Sequence, residues 1–238
     1  MVDTHCHLLP GLDDGPRSTN ASLDLARELL SVGVRSVLCT PHYTRQWAPT
    51  RAQALEAHAE LRKALDEAGL ALETTVAAEI GTAFAVTAPI EELVERRIGR
   101  YVVIEIFSDT PAQFLETVVD RLEEVDLRPV FAHPELARFV DRHPEVLDDA
   151  RARGALIQVL APGIVGFWGP EVAANAWDLL DADRVDLVAS DAHGRRRPAR
   201  HLGQAAQEIE KRFGPDARAE LTERRPSELV AGREAVSA

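Results

Sequence analysis

A (β/α)₇ barrel is the fold class the sequence predicts, and three observations predict it. Seven short β-rich runs alternate with longer helical stretches, the signature of a parallel sheet. The runs are apolar on both faces, as expected of strands covered by helices. No glycine-rich phosphate loop follows the first run, which argues against an open nucleotide-binding sheet. The chain has 238 residues with no low-complexity linker, so a single domain over 1–238 is expected.

The elements follow in order. The first strand ends over Thr4–His7. Ser18 or Thr19 caps a helix to about Val32, with Leu23, Ala26 and Leu30 on its apolar face and Gly33 as its stop. SVLCT (36–40) is the second strand, and Thr50 opens a long helix ending at Gly69. TTVAAE (74–79) and YVVIEI (101–106) are the third and fourth strands. Leu115, Val118, Val119, Leu122 and Val125 form a stripe at helical spacing. RPVFAH (128–133), ALIQVL (155–160) and VDLVAS (185–190) complete the strands. Further helices are expected over Glu171–Leu180, near 201–213 and near 215–222.

Composition narrows the function. Hydrophobic residues are 45% and charged residues 28%, ordinary globular values that exclude a disordered chain. The formal charge of −12 argues against nucleic acid or an anionic membrane as partner, since both need a basic surface. No apolar run reaches the roughly 18 residues of a membrane span. The opening MVDTHCHLLPGLDDG lacks the basic and apolar regions of a signal peptide. Two cysteines, Cys6 and Cys39, are too few for a disulfide framework, and a cytoplasmic location is expected.

The chemistry collects at strand ends. His5 and His7 close the first strand, His42 follows the second, and Glu79 closes the third. Glu105 lies in the fourth, His133 closes the fifth, and Asp191 and His193 follow the last. Asp14 lies in the loop after the first strand. A barrel brings all these ends to one face. His5 and His7 share a strand face because side chains alternate, so two imidazoles suit one metal ion. Five imidazoles and four carboxylates exceed the ligand set of one ion and suggest two or three, with a carboxylate bridge. Mixed nitrogen and oxygen donors suit Mn²⁺, Fe²⁺ or Zn²⁺. Three dications against four carboxylates leave a pocket of about +2, which would draw a phosphate dianion. A hydroxide bridging the ions would be the nucleophile.

The motifs DTHCHLLPGLDDGP, CTPHY, AAEIG, FAHPE and VASDAHG resemble those of the polymerase and histidinol phosphatase (PHP) superfamily. The opening HCHLLPGLDDGP and the late SDAH are most similar to its bacterial protein-tyrosine phosphatase branch, associated with capsule and exopolysaccharide control. The resemblance spans essentially the whole chain. It implies a distorted, TIM-like (β/α)₇ PHP barrel with a trinuclear site. His5, His7, Glu79 and Asp191 would bind the first metal. Glu79 would bridge to a second, completed by Glu105 and His133. Asp14, His42 and His193 would hold the third. It further implies manganese dependence and, as substrate, phosphotyrosine on a cognate bacterial tyrosine kinase.

Two positions depart from the branch. An arginine commonly follows HPE to hold phosphate; here Leu136 does, and Arg138 is the nearest arginine. A second family arginine follows SDAH, and among Arg195, Arg196 and Arg197 the last is the best match. Asp13 adjoins Asp14; motif position selects Asp14, and a swap of their roles stays open.

Rival readings remain. Cys39 and Arg45 have the C-x5-R spacing of thiol phosphatases, but Pro41 removes an amide donor and no glycine cradles phosphate. A small-molecule phosphatase acting on histidinol phosphate or a nucleotide is the enzyme alternative. A non-catalytic metal-binding regulatory protein is the alternative of another class. His58 is read as solvated on a helix face, His143 as preceding a helix start, and His201 as near enough to the arginines to touch substrate. Trp47, Phe167 and Trp168 fall in loops on the site face.

Overall fold

The computed structural model describes residues 1–140 and 142–232. Strand β1 (Val2–Cys6) leads to α1 (Thr19–Ser31), β2 (Ser36–Cys39), β3 (His42–Tyr43) and α2 (Arg51–Glu67). Next come β4 (Glu73–Val76), β5 (Glu79–Gly81), α3 (Thr82–Thr87), α4 (Ile90–Val94) and β6 (Tyr101–Glu105). Helix α5 (Gln113–Glu123), β7 (Arg128–Ala132), a 3₁₀ turn (Pro134–Leu136), α6 (Glu145–Ala152) and β8 (Leu156–Leu160) follow. The chain continues with α7 (Ala161–Ile164), α8 (Pro170–Asp181), β9 (Leu187–Ala189), α9 (Arg200–Phe213) and α10 (Pro215–Ala219). A π turn (Glu220–Arg224) then leads into α11 (Arg225–Ala231).

Every strand pair is parallel. The strands form two sheets, ordered β1-β2-β4 and β3-β5-β6-β7-β8-β9. The sheets meet beside β9, where Cys6 bridges Ala192 in parallel and the Asp191 N–H donates to the His5 carbonyl at 2.9 Å. The expected third strand is broken in two, and a short further strand, β3, follows the expected second one after a break. Pro41 explains the break, because it has no N–H for the ladder. The Thr40 N–H turns to the Cys6 carbonyl, and pairing resumes with His42 against Glu79. This break distorts the sheet while leaving the strand order expected of β/α units.

Local signals placed most helices. Ser18 caps α1, its side chain accepting from the Ala21 N–H. Thr50 and Gln53 form a reciprocal capping box on α2. Other expectations moved. The buried face of α1 is Ser22, Leu25, Ala26 and Leu29, leaving Leu23 and Leu30 only partly buried. Helix α5 buries Leu115, Val118, Val119 and Leu122, but ends before Val125, which is exposed. His58 is half-buried and hydrogen-bonds Thr74 from α2 onto β4, so it is not a solvated residue. The expected helix near 215–222 splits at the π turn.

The core separates into two layers of different chemistry. Leu38, Val103, Val130, Ala132 and Leu187 form one apolar cluster, with Leu229 of α11 and Ile98 packed into it. Val103 shares a face of β6 with Glu105, so this cluster lies one step below the carboxylates. It is a dry floor beneath the polar ends of the strands. A larger cluster joins the strands to the surrounding helices. Among the described residues no helix is long and apolar enough to cross a membrane.

Candidate metal centre

Strand geometry delivers the ligands. His5 and His7 leave β1 on one side, and both are buried. A second polar atom aims each imidazole. His5 Nδ1 bonds Gln158 Oε1 at 2.7 Å, and His7 Nδ1 bonds Asp13 Oδ2 at 2.7 Å. His193 Nδ1 meets the Asp191 carbonyl at 2.8 Å. With Nδ1 engaged as donor, each Nε2 carries its lone pair inward, the arrangement metal-ligating histidines use.

Those Nε2 atoms converge on carboxylates. His5 Nε2 lies 3.3 Å from Glu79 Oε1 and 3.6 Å from Asp191 Oδ1. His7 Nε2 lies 3.3 Å from Glu79 Oε2, 3.3 Å from Asp191 Oδ1 and 3.4 Å from His5 Nε2. Donors bound at about 2.1 Å around one tetrahedral ion stand about 3.4 Å apart. Three groups of potential ligands result among the described residues: His5–His7–Glu79, His7–Asp14–His42–His193 and His42–Glu79–Glu105. His7, His42 and Glu79 each belong to two groups, so the groups are fused. His133 Nε2 reaches Glu79 Oε1 at 2.9 Å and stands 4.0 Å from Glu105 Oε1.

Unpaired buried atoms test whether these residues fit metal ions. His42 Nδ1, Glu79 Oε2, Glu105 Oε2, His133 Nδ1 and His193 Nε2 are all buried without a hydrogen bond. His42 Nδ1 and Glu79 Oε2 stand 2.8 Å apart without hydrogen-bond alignment. Such orphans are expensive in a folded protein, and five in one cluster fit a site that binds cations. Electrostatics agree. Burial opposes charge on His42 and His133, yet the surrounding carboxylates raise them to about 10 and about 9. The close imidazoles of His193 and His42 hold Asp14 far below the usual carboxylate range. Burial, then the charge of Glu79, pushes Glu105 up to about 7. The pocket favours added positive charge, which divalent cations supply.

The backbone is strained where two of these residues sit. His133 has φ 46° and Asp191 φ 49°, left-handed conformations that most side chains avoid. Each follows a strand end, and the turn swings the side chain across the strand mouth. Gly15 is required beside His7, since a Cβ there would lie 2.5 Å from the His7 carbonyl oxygen.

The ambiguous positions resolve by contact. Asp13 bonds His7 and accepts from the Gly15 and His42 N–H groups, so it fixes two candidate ligands from outside the cluster. Asp14 faces His193 Nε2 at 3.1 Å and His42 Nε2 at 3.4 Å, within the cluster itself. Arg197 lies on the cluster, with Nη1 donating to Asp191 at 2.6 Å and Nη2 to Asp14 at 3.1 Å. A tight turn returns it there, the His193 N–H bonding the Arg197 carbonyl, while Arg195 and Arg196 are exposed. Arg138 is exposed, and its backbone N–H donates to the Ser108 carbonyl in the loop after β6. Cys39 is fully buried, and burial pushes its thiol far up, so the thiol route has no nucleophile.

Sequence reasoning passed over Asp3, Gln158, Ser190 and Glu135. All are buried polar residues around the cluster. Gln158 had a visible signal as the one polar residue in ALIQVL. Asp3 shares strand parity with His5 and His7.

Comparison with known proteins agrees with this geometry. The family model for capsular polysaccharide synthesis, CpsB/CapC, matches residues 1–231. The chain belongs to this CpsB/CapC family. It is 30% identical over 229 residues to the tyrosine-protein phosphatase YwqE of Bacillus subtilis, covering 94% of this chain and 89% of that one. It is 25% identical over 241 residues to the tyrosine-protein phosphatase CpsB of Streptococcus pneumoniae, covering 97% and 98%. Crystal structures of YwqE and CpsB, described as metal-dependent tyrosine phosphatases, include a chain that superposes with TM-score 0.87 at 28% identity, covering 98% of this chain and 95% of that one. A β-aspartyl dipeptidase from Fervidobacterium islandicum shares the fold, with TM-score 0.62 at 15% identity over 96% of this chain and 72% of that one. The TIM-like expectation for this CpsB/CapC member holds at the level of fold.

Proposed function

We propose that residues 1–238 form one metal-dependent phosphoric monoester hydrolase that acts on phosphotyrosine in proteins. The observation that carries this reading is the fused ligand set, with unpaired donor atoms buried around Glu79. Kinship with YwqE and CpsB supports the phosphotyrosine substrate. His5, His7, Glu79 and Asp191 would hold one ion, Glu79, Glu105 and His133 a second, and Asp14, His42 and His193 a third. Divalent ions there would supply charge to the phosphoryl oxygens and lower the pKa of water. Mn²⁺ suits this nitrogen and oxygen donor set, with Fe²⁺ and Zn²⁺ as competitors.

The chain's own residues do the rest. Arg197 is held at the rim by Asp191 and Asp14, with further N–H donors left for a phosphoryl oxygen. Arg138, whose backbone N–H donates to Ser108 in the loop after β6, would take the place of the arginine that Leu136 replaces. The apolar floor of Val103, Val130 and Leu187 keeps the site dry from below, which strengthens every charge interaction above it. A tyrosine phenolate has a pKa of about 10, so its departure needs no strong general acid. The substrate would be a phosphotyrosine protein of the cytoplasm, a cognate tyrosine kinase being the candidate, in control of exopolysaccharide or capsule synthesis.

The test is hydrolysis of a phosphotyrosine peptide by the purified protein after chelation and after Mn²⁺ is restored. Chelation should abolish turnover and Mn²⁺ restore it. Cys39→Ser should keep activity, and His42→Ala should lose at least about 100-fold. Activity that survives chelation and dies with Cys39 would overturn the reading.

A further inference from the structure

The geometry points to Phe107 as the residue that selects an aromatic phosphate ester, by packing its ring against the ester's own. This rests on the phosphatase reading and names what that reading leaves open, the group that recognises the phenol.

Strand parity makes the argument. His42, Glu79 and Glu105 form one ligand group, and His42 pairs with Glu79 in register. Gly81 pairs with Glu105 in register. Two residues on from each of the three ligands stand Thr44, Gly81 and Phe107. Alternation puts each on the side of its ligand, one layer nearer the open end of the strands. These three residues meet. A Cβ built on Gly81 would lie 3.2 Å from Thr44 Cγ2 and 3.4 Å from Phe107 Cε2. The Phe107 ring therefore lies over Gly81, close enough that a side chain there would press on it.

Ile106, the intervening residue, is fully buried in the core, so the alternation persists past the strand end. Phe107 nevertheless keeps 41% of its surface exposed. A turn holds it in place: its N–H donates to Thr110 Oγ1 at 2.9 Å, and the Thr110 N–H donates to its carbonyl at 3.0 Å. The same loop receives the Arg138 N–H at Ser108. An exposed ring on a fixed backbone costs little further ordering when a ligand stacks on it.

The chemistry matches the layers. An aryl phosphate has its ring one ester oxygen from phosphorus. Phosphate among the ligands therefore places the ring in the next layer, beside Phe107. Phe167 is also exposed, but its ring is already paired with His201 at 4.7 Å, and it comes seven residues after β8. An alkyl ester would present no π-face to Phe107 and would gain less.

The experiment compares benzylphosphonate with ethylphosphonate, in which a CH₂ stands for the ester oxygen and neither of which is hydrolysed. Calorimetric titration of the Mn²⁺-loaded protein should show benzylphosphonate bound about threefold to tenfold more tightly. Phe107→Ala should bring that ratio to within about twofold of one, and Phe107→Tyr should keep it. Equal affinities in the unaltered protein, or a ratio that Phe107→Ala leaves in place, would overturn the proposal. Phosphotyrosine hydrolysis measured alongside separates the two ideas. A ratio that depends on Phe107 without any hydrolysis sinks the phosphatase reading and keeps this one. Hydrolysis with a ratio indifferent to Phe107 does the reverse.

Discussion

Asp13 and Asp14 carry the same side chain in adjacent positions and do different work. Asp13 is buried and spends both oxygens on His7, Gly15 and His42. Asp14 is half-exposed and faces two imidazoles and Arg197. An outer carboxylate that aims a ligating histidine is worth about 10- to 100-fold in metal affinity. Asp13→Asn should lower Mn²⁺ affinity by that factor while metal-free secondary structure is kept, as titration and circular dichroism would show. An unchanged affinity would mean that His7 is aimed by packing alone. Motif position selected Asp14 but left a swap open, because the choice depends on how the loop turns at Gly15.

At the scale of elements, helices obey local rules and strands answer to their neighbours. Thr50 and Gln53 cap α2 by residues three apart, with no help from the rest of the fold. Thr50→Ala should cost about 1 kcal/mol. In a chain of this length that is a fall in Tm of about 2–4 °C, read by thermal melting, with metal content unchanged. Strand breaks were less legible. Pro41 stood in plain view, but its effect appears only when the partner strand is known: Glu79 donates across to Pro41, and His42 restarts the ladder. Helix α5 shows the same limit, since its stripe continued to Val125 while the chain turned at Asp126, φ 54°.

Over the whole molecule, first and last strands must be joined for the site to exist. Asp3, fully buried on β1, accepts from the Ser190 N–H at 3.0 Å and the Ser190 hydroxyl at 2.5 Å. Ser190 Oγ in turn receives the Ala192 N–H at 3.0 Å. These bonds tie His5 to the strained turn that carries Asp191 and His193. Asp3→Ala would leave buried donors unpaired at both ends and should cost about 3 kcal/mol, seen as a lower denaturation midpoint. Because the tie spans the ligands, Mn²⁺ stoichiometry should fall as well. Lost stability with full stoichiometry would show that the tie supports the fold alone.

The sequence by itself determined the β/α alternation, the caps of α1 and α2, and the histidines and carboxylates that gather at strand ends. Those features rest on periodicity and on chemistry carried within a few residues. Only the tertiary structure decided which aspartate faces the cluster, that Arg197 and not its two neighbours returns to it, and that Asp3, Gln158 and Ser190 support it. It also decided that Phe107 lies over Gly81, two strands brought together by register. The reason is physical: a backbone hydrogen-bond pattern is local, whereas the partner of a buried polar atom is set by segments more than a hundred residues away, as Asp3 and Ser190 are.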